Sequence, residues 1–125
     1  MRQTSLCVQS DGRLAVGSQD GIIRLWDTKN QSQSALLKGH TDSVNALCLL
    51  SDGRLASGSG DKMIRLWDAK TGAQAARIEG HAEGVMALCL LPDRRLASGS
   101  GDKTIRLWNA RTGAKSPSSR VMPRP

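Results

Sequence analysis

One unit of sequence recurs along this chain at a spacing of 41 residues. Trp26, Trp67 and Trp108 keep that interval, as do Asp20, Asp61 and Asp102, then Cys7, Cys48 and Cys89, and finally His40 and His81. Residues 40–73 and 81–114 agree at 25 of 34 positions and differ only at 41, 42, 43, 45, 51, 53, 63, 68 and 70. A period of this length marks a supersecondary unit that gains stability by stacking on its neighbours. The copies divide the chain into 1–38, 39–79 and 80–113, followed by a tail, 114–125.

Within one period, short apolar runs alternate with turn signals, which predicts an all-β unit. Val44–Leu50 is a nearly continuous apolar run with a β-branched start, suited to a strand covered on both faces. Asp52-Gly53 then marks a hairpin, because glycine accepts φ > 0. Strands are predicted at 54–59, at 63–67 and, more polar and at the outer edge, at 75–79. A helical reading fails, since Gly and Asp interrupt every segment. Four such strands make a sheet with two apolar faces, and radial stacking of those sheets makes a β-propeller.

Composition narrows the rest. With no Phe or Tyr, the core must come from Leu, Ile, Val, Ala, Met, Cys and three Trp. No apolar run approaches the ~20 residues of a spanning helix, and Met1–Ser5 carries no signal-peptide core, so a soluble cytoplasmic protein without membrane contact is expected. The three cysteines form no C-x-x-C pair and no disulfide framework, and they read as small hydrophobes rather than metal ligands. Nothing in the pattern asks for a cofactor. Of the net charge of +7, the last fifteen residues supply Arg111, Lys115, Arg120 and Arg124 with no acid. The Ser- and Pro-rich tail is expected to be solvated and disordered.

The runs Gly39-His40, Leu55–Asp61 and Ile64–Asp68, with their copies Gly80-His81, Leu96–Asp102 and Ile105–Asn109, resemble the WD-repeat family over residues 3–113. That resemblance implies three four-stranded antiparallel blades of a WD-repeat β-propeller. It also implies hydrogen-bonded sets within a blade: His40, Ser57, Asp61 and Trp67, and His81, Ser98, Asp102 and Trp108. The chemistry is sound, because an indole N–H only donates and a buried one needs an acceptor such as a serine hydroxyl. The first copy departs from the pattern: it keeps Asp20 and Trp26, has Val16 at the serine position, and has no counterpart of the His. The third has Arg94 for the turn Gly and Asn109 for Asp, and Pro117 falls where its fourth strand would run, so that strand is expected to be frayed or missing.

Three functional readings follow. Ser57, His40 and Asp61 have the composition of a hydrolase triad, but a hydroxyl committed to Trp67 is no free nucleophile. Gly58-Ser59-Gly60 is no phosphate cradle without a following Lys-Ser/Thr helix. Arg24, Arg65 and Arg106, with the basic tail, carry a nucleic-acid reading, the alternative to the favoured one. The favoured reading is a non-enzymatic scaffold for other proteins. By resemblance, contact positions fall on Ser43, Asn45 and Gly60, on Gly84, Met86 and Gly101, and on Thr4 and Gln19. Propellers close with four to eight blades. Three blades therefore predict either a homo-oligomer that closes head to tail or a piece of a longer propeller.

Overall fold

A computed structural model describes residues 3–9, 12–68 and 71–112. It contains eleven strands and, among these residues, no helix, hence none long and apolar enough to cross a membrane. The tail at 114–125, and with it any fourth strand of the third copy, lies outside the described residues. Strands β1 (Gln3–Val8), β2 (Leu14–Ser18), β3 (Ile23–Asp27) and β4 (Ser32–Leu37) form one antiparallel meander. Strands β5 (Val44–Leu49), β6 (Leu55–Ser59), β7 (Met63–Trp67) and β8 (Gln74–Glu79) form a second. A third consists of β9 (Val85–Leu90), β10 (Arg95–Ser100) and β11 (Ile105–Asn109).

The hairpins follow from local chemistry. Between the first two strands of each sheet, the chain must pass through the left-handed region. Gly12 and Gly53 do so at φ 88° and 87°, and Arg94 takes the same position at φ 72°. In the second and third sheets an aspartate braces this turn: the Asp52 carboxylate accepts from the Arg54 N–H at 3.0 Å, and Asp93 accepts from Arg95 at 3.1 Å.

Packing is face to face and sequential. The innermost strand β5 touches β1 on one side and β9 on the other. Between the first and second sheets lie Ala15, Ile23, Leu25 and Leu37, opposed by Val44, Leu55 and Trp67. Between the second and third lie Leu50, Ala56, Ile64, Leu66 and Ile78, opposed by Val85, Leu96 and Trp108. Each large apolar side chain buried in these layers contributes about 1.5–3 kcal/mol. The seam is keyed by a knob and a hole. A β-carbon placed on Gly17 would lie 2.7 Å from Val44, and one on Gly58 would lie 2.5 Å from Val85. Glycine is required there because the valine of the next sheet, joined at Gly17 by the Ser5 hydroxyl of the adjacent strand, already fills the space.

Among the described residues nothing covers the two outer faces in this way. Leu6 and Val8 of β1 are 61% and 64% exposed, and Met86 of β9 is 58% exposed. Gly99, the counterpart of Gly58, meets only Ala87, at 3.9 Å. The three sheets therefore form an open arc. A direct check is thermal unfolding of two alanine variants. Gly58→Ala should overpack the seam and cost about 1–3 kcal/mol, whereas Gly99→Ala, which meets no valine, should cost less.

Candidate functional site: a buried network in two blades and the loops above it

In the second sheet the turn before β5 brings His40 over the ends of β6 and β7. Ser57 stands on β6 opposite Arg65 of β7, two residues before Trp67. The Trp67 indole N–H donates to Ser57 Oγ at 2.8 Å, and Ser57 Oγ lies 2.6 Å from His40 Nε2. His40 Nδ1 is 2.9 Å from Asp61 Oδ2. The carboxylate only accepts, so Nδ1 carries the hydrogen and Nε2 is left as an acceptor. The single hydroxyl hydrogen of Ser57 then goes to His40, which is closer than the alternative, the Arg65 carbonyl at 3.4 Å. The direction of every bond in the chain of four is thereby set.

The third sheet repeats this geometry with His81, Ser98, Asp102 and Trp108. The distances are 2.8 Å from indole to hydroxyl, 2.7 Å from hydroxyl to Nε2 and 3.0 Å from Nδ1 to carboxylate. Each aspartate also ties down backbone. Asp61 accepts from the N–H groups of Thr41 and Met63, both at 2.9 Å, and Asp102 accepts from Ala82 and Thr104. Thr104 adds its hydroxyl to Asp102. These backbone anchors are absent from the resemblance-based set, because a residue's backbone N–H leaves no mark on its identity. Ser59 and Ser100, likewise unsingled, hold the carbonyls of Asp42 and Glu83 at 3.1 Å.

The first sheet resolves its missing parts differently. Val16 stands opposite Arg24 in the register that Ser57 and Ser98 occupy, so Trp26 has no hydroxyl beside it. Asp20, with no imidazole to hold, takes Arg24 instead at 2.9 Å, and Arg24 also reaches Ser18 at 3.1 Å. Arg65 turns to Gln74 at 2.6 Å, and Arg106 to the Gly80 carbonyl. The arginine row is thus spent on separate neighbours, each different.

The loop residues singled out as contact positions fall into two groups. Thr4 donates to the Val44 carbonyl, and Asn45 donates to the Val85 carbonyl at 3.1 Å. Gly60 accepts the close approach of Gly84, whose β-carbon would lie 3.1 Å from the Gly60 Cα. The N–H groups of Gly60 and Gly101 donate to the carbonyls of Ser43 and Gly84, the residues just before β5 and β9. These residues join one sheet to the next or tie two loops of one sheet together. Gln19 and Met86 are exposed, and Ser43 is half-buried. Among the described residues no three His, Cys, Asp or Glu side chains gather as a metal site.

Residues 3–27, 31–68 and 72–109 each match the family model of the WD domain, G-beta repeat. The chain belongs to the WD-repeat family. The matched segment 31–68 takes β4 from the first sheet and β5–β7 from the second, and 72–109 takes β8 from the second and β9–β11 from the third, so these two repeats each stitch two sheets together. A stretch of 34 residues, 27% of the chain, is 47% identical to mitochondrial division protein 1 of Kluyveromyces lactis. A stretch of 33 residues, 26% of the chain, is 48% identical to CCR4-associated factor 4 of Saccharomyces cerevisiae. In both cases the matched stretch covers 5% of the relative's length.

Burial pushes the His40 imidazole below its ordinary pKa of 6.5, against the pull of Asp61. Burial works to raise the Asp61 carboxyl, yet the Thr41 N–H and His40 hold it below its ordinary 3.8. Both shifts point the same way: a depressed folded-state pKa means that the unfolded chain takes up protons first as the solution is acidified. The His40 contribution is whole above pH 6.5 and is lost as pH falls below that value. The unfolding midpoint should therefore drop between pH 7 and pH 5, and His40→Gln, less stable throughout, should show a shallower fall. Ser57→Ala should strand the Trp67 N–H and destabilise the fold by about 1–3 kcal/mol in denaturant titrations.

Proposed function

We propose that the chain is a non-enzymatic scaffold that binds other proteins, and that its first partner is a second copy of itself. Family membership supports the scaffold reading, since WD-repeat proteins bind other proteins. The Ser–His–Asp set speaks against catalysis. Ser57 is wholly buried, its hydroxyl hydrogen is engaged by His40, and its lone pair is occupied by Trp67. The nucleic-acid reading gains nothing from an arginine row held by Asp20, Gln74 and the Gly80 carbonyl.

One observation carries the self-assembly. The two uncovered end faces are the two halves of the internal seam. Leu88, Leu90, Leu96 and Trp108 pack on the second sheet, and their counterparts on the open side of the first sheet are Leu6, Val8, Leu14 and Trp26. Cys7, Ala15, Ile23 and Leu25 face the second sheet, and their counterparts on the open side of the third are Cys89, Ala97, Ile105 and Leu107. Head-to-tail contact between copies places one set against the other, and six blades lie within the range that closes. The seam between copies is weaker than the internal ones. Gln3 stands where Val44 and Val85 act as knobs, and Met86 lacks the donor that Thr4 and Asn45 supply.

Light scattering after gel filtration gives the test. The parent chain should show an integral multiple of 13.4 kDa, and Leu6→Glu combined with Val8→Lys should reduce it to a single chain. A parent chain that stays at 13.4 kDa across the micromolar range would overturn the self-assembly.

A further inference from the structure

A hollow of about 360 Å³ opens where the β5–β6 turn meets the third sheet, far from the contact loops described above. Its floor is apolar, formed by Leu50 and Ala110, and its rim carries Arg54, Arg94 and Arg111 with one acid, Asp52. Arg54 is locked in place. Its Nε donates to Asp52 at 2.7 Å, and its terminal nitrogens donate to the carbonyls of Ala110 at 2.6 Å and Arg111 at 3.5 Å. Asp93, the other acid of the neighbouring turn, is held by Arg95 at 2.7 Å. Arg94 and Arg111 are exposed, and among the described residues neither guanidinium is paired.

Two substitutions between the repeats converge on this place. Arg94 occupies the left-handed turn position at φ 72°, where the sister turns use Gly12 and Gly53 at φ 88° and 87°. A side chain there costs some strain, as it does at Lys62 and Lys103, which take φ 73° and 68° at the turn position where the first copy has Gly21 at φ 81°. Two residues before Arg111, Asn109 replaces the Asp27 and Asp68 of the other copies. Asn109 accepts from the N–H groups of Arg111 and Thr112 at 2.9 and 3.3 Å, as Asp27 does from Lys29 and Asn30 at 2.9 and 3.3 Å. The turn is unchanged, and only the negative charge is gone. The corresponding hollow of the first sheet, about 280 Å³, keeps both Gly12 and Asp27. The third copy thus adds a cation and deletes an anion at one spot.

We infer that this hollow is a binding site for an acidic peptide segment. The apolar floor takes the methylenes of a glutamate side chain, and Arg94 and Arg111 take its carboxylate, with guanidinium donors suited to that planar acceptor. A nucleic acid fits less well, because the hollow has no aromatic face for a base and Trp67 and Trp108 are buried. This site needs only the second and third sheets and stands independently of how the end faces are covered.

The test is fluorescence anisotropy of the full chain with a labelled octaglutamate peptide and, separately, a labelled oligo-dT. Saturable peptide binding is expected, about tenfold weaker in Arg94→Gly, with Arg94→Lys in between. Arg94→Gly relieves the turn, so its unfolding midpoint should not fall, and a loss of binding cannot be ascribed to misfolding. Arg120→Ser combined with Arg124→Ser should leave the affinity unchanged. The inference is overturned by undiminished peptide binding in Arg94→Gly, by a loss that follows the tail substitutions instead, or by tighter, Arg94-dependent binding of oligo-dT.

Discussion

A four-stranded sheet with apolar residues on both faces cannot rest in water alone, and that constraint organises this molecule. The second sheet satisfies it twice, with Leu55 and Trp67 turned to one neighbour and Ile64 and Leu66 to the other. The first and third satisfy it once. Seams of this kind need more than greasy surfaces to hold a register. The valine at the start of β5 and of β9 drops into the gap left by a glycine, and a side-chain donor from the preceding sheet latches onto that valine's carbonyl. Burial supplies the free energy, and the knob and the latch decide the alignment.

Within the second and third blades the hydrogen-bonded chain of indole, hydroxyl, imidazole and carboxylate answers a different problem. A buried tryptophan brings a donor that must be met, and a serine alone would leave its own hydrogen to place. The imidazole accepts that hydrogen, and the carboxylate, itself fed by backbone N–H groups, settles the tautomer. The three groups that make a nucleophile in a hydrolase are joined here to a fourth, the Trp67 indole, in one buried hydrogen-bonded chain. Where the set is incomplete, the remaining parts find other work: Asp20 holds Arg24 rather than an imidazole.

Much of this could be read from residue order. The 41-residue spacing fixes the repeat, the Asp-Gly pairs mark hairpins, and each His, Ser, Asp and Trp is visible at its place in the period. Other features were not legible. Thr4 and Asn45 sit at positions that resemble contact sites for partners, and in this chain they also reach the carbonyls of the adjoining sheet. That reach depends on which side of a strand meets another sheet, and residue identity is silent on it. The pairing of Arg24 with Asp20 depends on an absent histidine, and the brace that Thr41 and Met63 give Asp61 comes from backbone groups that every residue carries. Arg94 shows as a substituted turn glycine, but only the folded chain brings it beside Arg54 and Arg111.

Residue order carries the period, the all-β character and the residues able to form the networks of the second and third blades, because these rest on local spacing and on the chemistry of single side chains. Tertiary structure decided what each copy of a residue experiences. Ala56 and Leu66 are fully buried, whereas Ala97 and Leu107, in the same register one repeat later, are only half-buried, and Cys89 is more open than Cys48. Their identities are equal and their surroundings are not: burial belongs to a pair of faces, and the described part of the chain supplies the third sheet with only one neighbour.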